Sequence, residues 1–236
     1  MCLLSGSPQG LRSDFTGVRT LWLSTSRIRR SSTNGWLILK WSRRRRSDEV
    51  LTGDPHVVDA STVRRLVAQL EQAGIPVWID GGWGIDVLLG RETRPHRDLD
   101  VIIRVSDVPK ALELLRPADF VVREGSIPHA FVLASPSGDE IDFHTVTVRS
   151  DGTAVHRMDD GNDWVFPADA FTGVGTIDGA RVQCLSAETQ VRCHAQGYVP
   201  TEKDFRDMEL LQQAFGVELP PSLRRARPAR TQSQAG

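Results

Sequence analysis

"IDGGWGIDVLLGRETRPHRDLDVIIRV", residues 79–105, places two glycines, Gly81 and Gly82, directly after a short apolar run and two aspartates, Asp98 and Asp100, inside the next one. Side chains at i and i+2 of a strand share a face, so Asp98 and Asp100 stand side by side while Leu99 points into the core. Two like charges that close repel, and a cation between them relieves the repulsion. A second apolar run, "EIDFHTVTV" at 140–148, alternates Ile141 and Phe143 with Glu140, Asp142 and His144. A carboxylate on that strand can face the Asp98/Asp100 pair across a sheet. Three carboxylates converging in a partly buried site cannot all stay ionised without cations, and hard oxygen ligands select Mg²⁺ or Mn²⁺.

The flanking sequence supplies a scaffold. "DASTVRRLVAQLEQAGIP" offers Asp59 and Ser61 as caps, sets Val63, Leu66, Val67 and Leu70 at helical spacing, and stops at Gly74 and Pro76. "VWID" follows as a short buried strand, Gly81-Gly82 as a tight turn, "WGIDVLLG" as a helix and "LDVIIRV" as a strand. A helix over "DVPKALELLR" precedes three strands, "FVVRE", "HAFVLAS" and "EIDFHTVTV". After a loop-rich stretch, "GVGTIDGARVQCLS" reads as a hairpin turning at Asp178-Gly179. Helices over "SAETQVRCHAQGY" and "TEKDFRDMELLQQAF" close the pattern, with Ser186 and Thr201 at their starts. The pattern predicts an α+β fold, a mixed twisted sheet of about five strands flanked by helices, with the C-terminal helices closing a cleft.

The 236 residues include ten Lys/Arg against three Asp/Glu in positions 1–50, a net +7, so with −1 overall the remainder carries −8. An acidic folded part argues against a nucleic-acid groove, which needs clustered cations. The three cysteines have no metal-ligand spacing and suit a reducing cytoplasm better than a disulfide framework. No apolar run approaches the roughly 18 residues that a membrane helix needs. Residues 1–50 are expected not to pack, 57–150 to form the core, 151–220 to complete the cleft and 221–236 to be a disordered tail.

Together "DGGWGID", "TRPHRDLDVII", "EIDFH" and "CLSAETQVRCHAQGYVPTEKDFRDMELL" resemble the lincosamide and aminoglycoside nucleotidyltransferases, small members of the polymerase-β-like nucleotidyltransferase superfamily, from about Val77 to Leu211. The resemblance implies one or two Mg²⁺ ions, the first held by Asp98 and Asp100 and a second between the α-phosphate and the attacking oxygen, with a nucleoside triphosphate, ATP by default, as donor. It implies that Asp142, a third ligand or general base, serves a hydroxyl attacking the α-phosphorus, and that the amides of Gly81 and Gly82 meet the β- and γ-phosphates. The implied acceptor is a hydroxylated small molecule such as an aminoglycoside or lincosamide.

Other side chains have two readings each. Arg94, His96 and Arg97 stand ahead of the metal strand, where a cation reaches triphosphate, or else line a solvated loop. Lys203 either pairs with a phosphate or makes a surface i,i+4 pair with Asp207. His144 contacts the acceptor or is structural; Asp86 and Trp83 fit structural roles. Two alternatives to the transferase are an inactive or antitoxin-like nucleotide-binding module of the same fold and a metal-dependent glycosyltransferase. The intact carboxylate trio disfavours the first, and the lack of a nucleotide-sugar half before Asp98 disfavours the second.

Overall fold

The Asp59 carboxylate accepts from the Thr62 amide at 2.7 Å and so caps the first helix, α1 (Ala60–Gln72), which ends where Gly74 turns to φ +71. A computed structural model describes residues 56–158, 160–196 and 199–225, and the expectation for residues 1–50 lies outside them. Strand β1 (Trp78–Ile79) leads into α2 (Gly81–Leu89), β2 (Leu99–Arg104) and α3 (Val108–Leu115). The two glycines expected to form a separate turn are instead the first residues of α2, because Asp80 takes the N-cap position and accepts from the Gly81 amide at 2.7 Å.

Strands β3 (Val121–Ser126), β4 (Ala130–Ala134) and β5 (Glu140–Val148) follow as an antiparallel meander. The stretch read as loop-rich contains a further hairpin, β6 (Ala154–Arg157) with β7 (Asp163–Phe166). Its four-residue strands are too short to declare a period in the sequence. The hairpin of β8 (Gly173–Ile177) and β9 (Ala180–Cys184) turns at Asp178 and Gly179, φ 47 and 74, as expected. Ser186 caps α4 (Ala187–Ala195), and Thr201 with Asp204 forms a reciprocal capping box on α5 (Glu202–Phe215).

The sheet runs β3-β4-β5-β2-β1-β9-β8, with β6 and β7 extending it from β5: nine strands among the described residues rather than about five. It is mixed, since β2 runs parallel to β5 and antiparallel to β1. Leu99, Val101 and Ile103 of β2 and Ile141 and Phe143 of β5 point to one face, where they join Leu66, Leu70, Val108 and Ala111 of α1 and α3 in the main core. The opposite face carries Asp100 and Asp142, then Ile102 and Val146, which pack with Ala154 and Phe166 of the β6–β7 hairpin. Ile85 of α2 joins Val191 of α4 and Met208 and Leu211 of α5 in a third cluster. That cluster includes the buried Leu223, in a turn at Pro221–Leu223 past the expected end of the folded part. Among the described residues no helix is long and apolar enough to cross a membrane.

Candidate active site

The parallel pairing of β2 with β5 sets Asp100 directly opposite Asp142, and the next pair on that face is Ile102 with His144. A one-residue slip would turn every one of these side chains into the core; the apolar partners Leu99, Val101, Ile141 and Phe143 forbid it. Ligand atoms of Asp100, Asp142 and His144 all lie within 4.8 Å of one another. Asp142 is 7% exposed. Asp98 stands half-buried at the entrance to β2, outside that group of three.

The glycines are explained by what occupies the space beside them. A β-carbon on Gly81 would collide with the Asp100 carboxylate, and Gly81 also sits at φ +59, where L side chains are strained. A β-carbon on Gly82 would collide with the imidazole of His96 and the guanidinium of Arg94. The first glycine therefore admits a carboxylate of the site, and the second admits a buried polar chain behind it.

That chain can be assigned proton by proton. Arg94 can only donate, so its Nη1, 3.0 Å from His96 Nδ1, makes Nδ1 the acceptor. The ring proton is then on Nε2, which donates to Asp86 Oδ2 at 2.6 Å, while Thr93 Oγ1 donates to Asp86 Oδ1 at 2.6 Å. Arg94 meanwhile donates from Nε and Nη2 to Asp207 Oδ2 at 3.1 and 2.8 Å. Asp86 and His96 are buried, and the Asp207 side chain is 1% exposed. Trp83 closes the group, its ring 4.8 Å from that of His96. The result ties α2, the segment entering β2, and α5 together.

One residue that the sequence did not single out, Asp80, lies against the site, and a second, His194, lies within charge range of it. Asp80, fully buried, donates its amide to the Asp100 carbonyl at 2.9 Å. Burial pushes its carboxyl up; the nearby His144 opposes this, the charge of Asp100 adds to it, and the Gly81 amide and His194 pull it down. His194, near the end of α4, thereby enters the same electrostatic neighbourhood, its Nδ1 2.9 Å from the Gln190 carbonyl. A carboxylate immediately before a Gly-Gly helix start was the signal available for Asp80; a histidine on an amphipathic helix gives none. Arg97 and Lys203 are exposed, on the loop before β2 and in the first turn of α5. Asp207 pairs with Arg94 and not with Lys203.

A mixed sheet that aligns carboxylates on adjacent parallel strands beneath a glycine-started helix defines a nucleotidyltransferase. The chain belongs to the aminoglycoside-2''-adenylyltransferase family, whose pattern matches residues 62–211. It is 30% identical to a lincosamide resistance protein of Staphylococcus haemolyticus over 141 residues, 60% of this chain and 86% of that protein. A shorter stretch of 39 residues is 44% identical to a 2''-aminoglycoside nucleotidyltransferase of Escherichia coli, 16% of this chain and 22% of that one. The fold superposes on the lincomycin-bound crystal structure of the lincosamide antibiotic adenylyltransferase LnuA with a TM-score of 0.61 and 26% identity, covering 67% of this chain and 99% of LnuA. It also matches ANT(2'')-Ia in complex with adenylyl-2''-tobramycin, at a TM-score of 0.54 and 20% identity over 66% of this chain and 88% of that one, a likeness of fold.

Proposed function

We propose that the protein transfers a nucleoside monophosphate, AMP from ATP, to a hydroxyl of a small antibiotic of the lincosamide or aminoglycoside class, with release of pyrophosphate. The observation that carries this is the Asp100–Asp142 register pair, one carboxylate on each of two parallel strands, with the Asp100 carboxylate against Gly81 at the start of α2. Converging carboxylates of this kind fit a hard divalent ion. Asp98 and Asp100 would hold Mg²⁺, which when bound neutralises triphosphate charge and activates the α-phosphorus. Asp142 takes the proton of the acceptor hydroxyl as the new P–O bond forms and the bond to pyrophosphate breaks.

The amides of Gly81 and Gly82 open α2 and supply the positive end of its dipole to the β- and γ-phosphates. Arg97, exposed on the loop before β2, and Lys203, exposed in the first turn of α5, are the cations that would add charge to the same phosphates. The buried Arg94–Asp207 pair keeps the α5 wall fixed relative to the metal strand, so the two halves of the nucleotide site keep their spacing. A nucleoside triphosphate donor and an antibiotic acceptor together imply action in the cytoplasm, with no nucleic-acid partner. The test is pyrophosphate release with Mg²⁺ across the four ribonucleoside triphosphates and a panel of lincosamides and aminoglycosides. Release with ATP that requires one antibiotic class supports the proposal, and release with none of the pairs refutes it.

A further inference from the structure

We infer that His144 is a metal ligand, so that the cation shared by Asp100 and Asp142 is held by two oxygens and one imidazole nitrogen and favours Mn²⁺ over Mg²⁺; this rests on the cation site of the proposed transferase. His144 lies two residues beyond Asp142 on β5, on the same face of the sheet. Its Nε2 is 3.8 Å from Asp142 Oδ1, too long for a hydrogen bond. Two ligands of one ion, each about 2.1 Å from it, sit at most about 4.2 Å apart, so this pair already spans a single cation. Asp100, its ligand oxygen within 4.8 Å of the other two, completes the group.

The surroundings hold the imidazole in place. Its ring packs edge-on against that of His156 at 5.7 Å, and His156 is itself fixed by its Nδ1, 2.9 Å from the Thr145 carbonyl. His156 is buried, and the β6–β7 hairpin that carries it covers this part of the sheet. The ring therefore turns its Nε2 toward the carboxylates rather than sweeping through solvent. The donor set decides the preference between the two: Mg²⁺ takes oxygen ligands and keeps its waters, whereas Mn²⁺ is equally at home with carboxylates but, as a transition-metal ion, accepts an imidazole nitrogen more readily than Mg²⁺ does. Asp142, giving one oxygen to the ion, keeps the other for the acceptor proton. Asp98, outside the group of three, is left to the triphosphate side.

The probe is Mn²⁺ itself, added to the full chain with a non-hydrolysable ATP analogue and read by electron spin-echo modulation. Nitrogen modulation is expected from the native protein; labelling its histidines with ¹⁵N should shift it and His144→Gln should abolish it. The same substitution should weaken Mn²⁺ at least about tenfold by titration and change Mg²⁺ much less. His144→Glu should restore tight binding without nitrogen modulation and move the preference toward Mg²⁺. Bound Mn²⁺ with no histidine signal would overturn the inference and leave the transferase standing. Absence of Mn²⁺ binding with and without nucleotide would remove both.

Discussion

At the residue scale, the proposed transfer gives Asp98, Asp100 and Asp142 different jobs. Asp98→Asn or Asp100→Asn removes a charge from the nucleotide side, so binding of Mg²⁺ and a non-hydrolysable nucleotide should fall together with turnover. Asp142→Asn should weaken binding of the ion it shares with Asp100 and His144 but lower nucleotide binding less than Asp98→Asn or Asp100→Asn does, while turnover drops by about 10² to 10⁴, the range for losing a positioned general base. Calorimetric titration beside pyrophosphate-release rates distinguishes them, and full activity in Asp142→Asn would end its assignment as base. Gly81→Ala presents a different failure. Its β-carbon competes with the Asp100 carboxylate for one volume, so the variant should retain the circular dichroism of the native fold and lose metal-nucleotide affinity. Much of this was legible: Asp98, Asp100 and Asp142 stand out because carboxylates interrupt apolar runs with period two. The contribution of Asp80 was not, since it also reads as the polar end of "VWID", and its role depends on α2 starting one residue later.

At the scale of elements, the loop into β2 meets α2 through the His96–Asp86 hydrogen bond and meets α5 through the Arg94–Asp207 ion pair. Removing one partner of such a pair leaves the other charge without compensation. Arg94→Met should cost on the order of 3 kcal/mol, the low end for a buried pair because the guanidinium keeps some contact with water. Urea denaturation measures it. Arg94→Lys should recover little, since one ammonium cannot reproduce the two-atom contact with Asp207 while also reaching His96. The sequence set Arg94 among cations that reach triphosphate and offered Asp207 to Lys203; a partner 113 positions away is invisible to local spacing. By contrast, the caps of α1, α4 and α5 and the Asp178-Gly179 turn were legible, because each is satisfied within four residues.

At the scale of the whole molecule, two properties follow from burial and charge. The Cys184 thiol is pushed up to about 12, mainly by burial and secondarily by Asp80, and Cys193 is raised in the same sense. In the unfolded chain these thiols ionise near pH about 8.5. Their contribution to stability is therefore complete below that pH and is lost as pH climbs toward 12, so the urea midpoint should decline in that window. Iodoacetamide at pH 8 should spare both cysteines until denaturant is added. Residues 51–236 carry −8, so a polycationic acceptor should bind more weakly as salt rises, with screening over about 8 Å at physiological ionic strength, and a neutral lincosamide should not. Initial-rate measurements across an ionic-strength series decide between them.

The register of β2 against β5 also governs when the protein becomes competent during folding. Antiparallel β4 and β5 meet through a short connection, but Asp100 and Asp142 come from strands that pair only after the intervening α3, β3 and β4 have been brought around. Contacts this distant in sequence close late and slowly. A refolding chain should accordingly regain helical ellipticity before it regains the capacity to quench its tryptophans with a metal-bound nucleotide, and a stopped-flow experiment following both signals should find a lag between them.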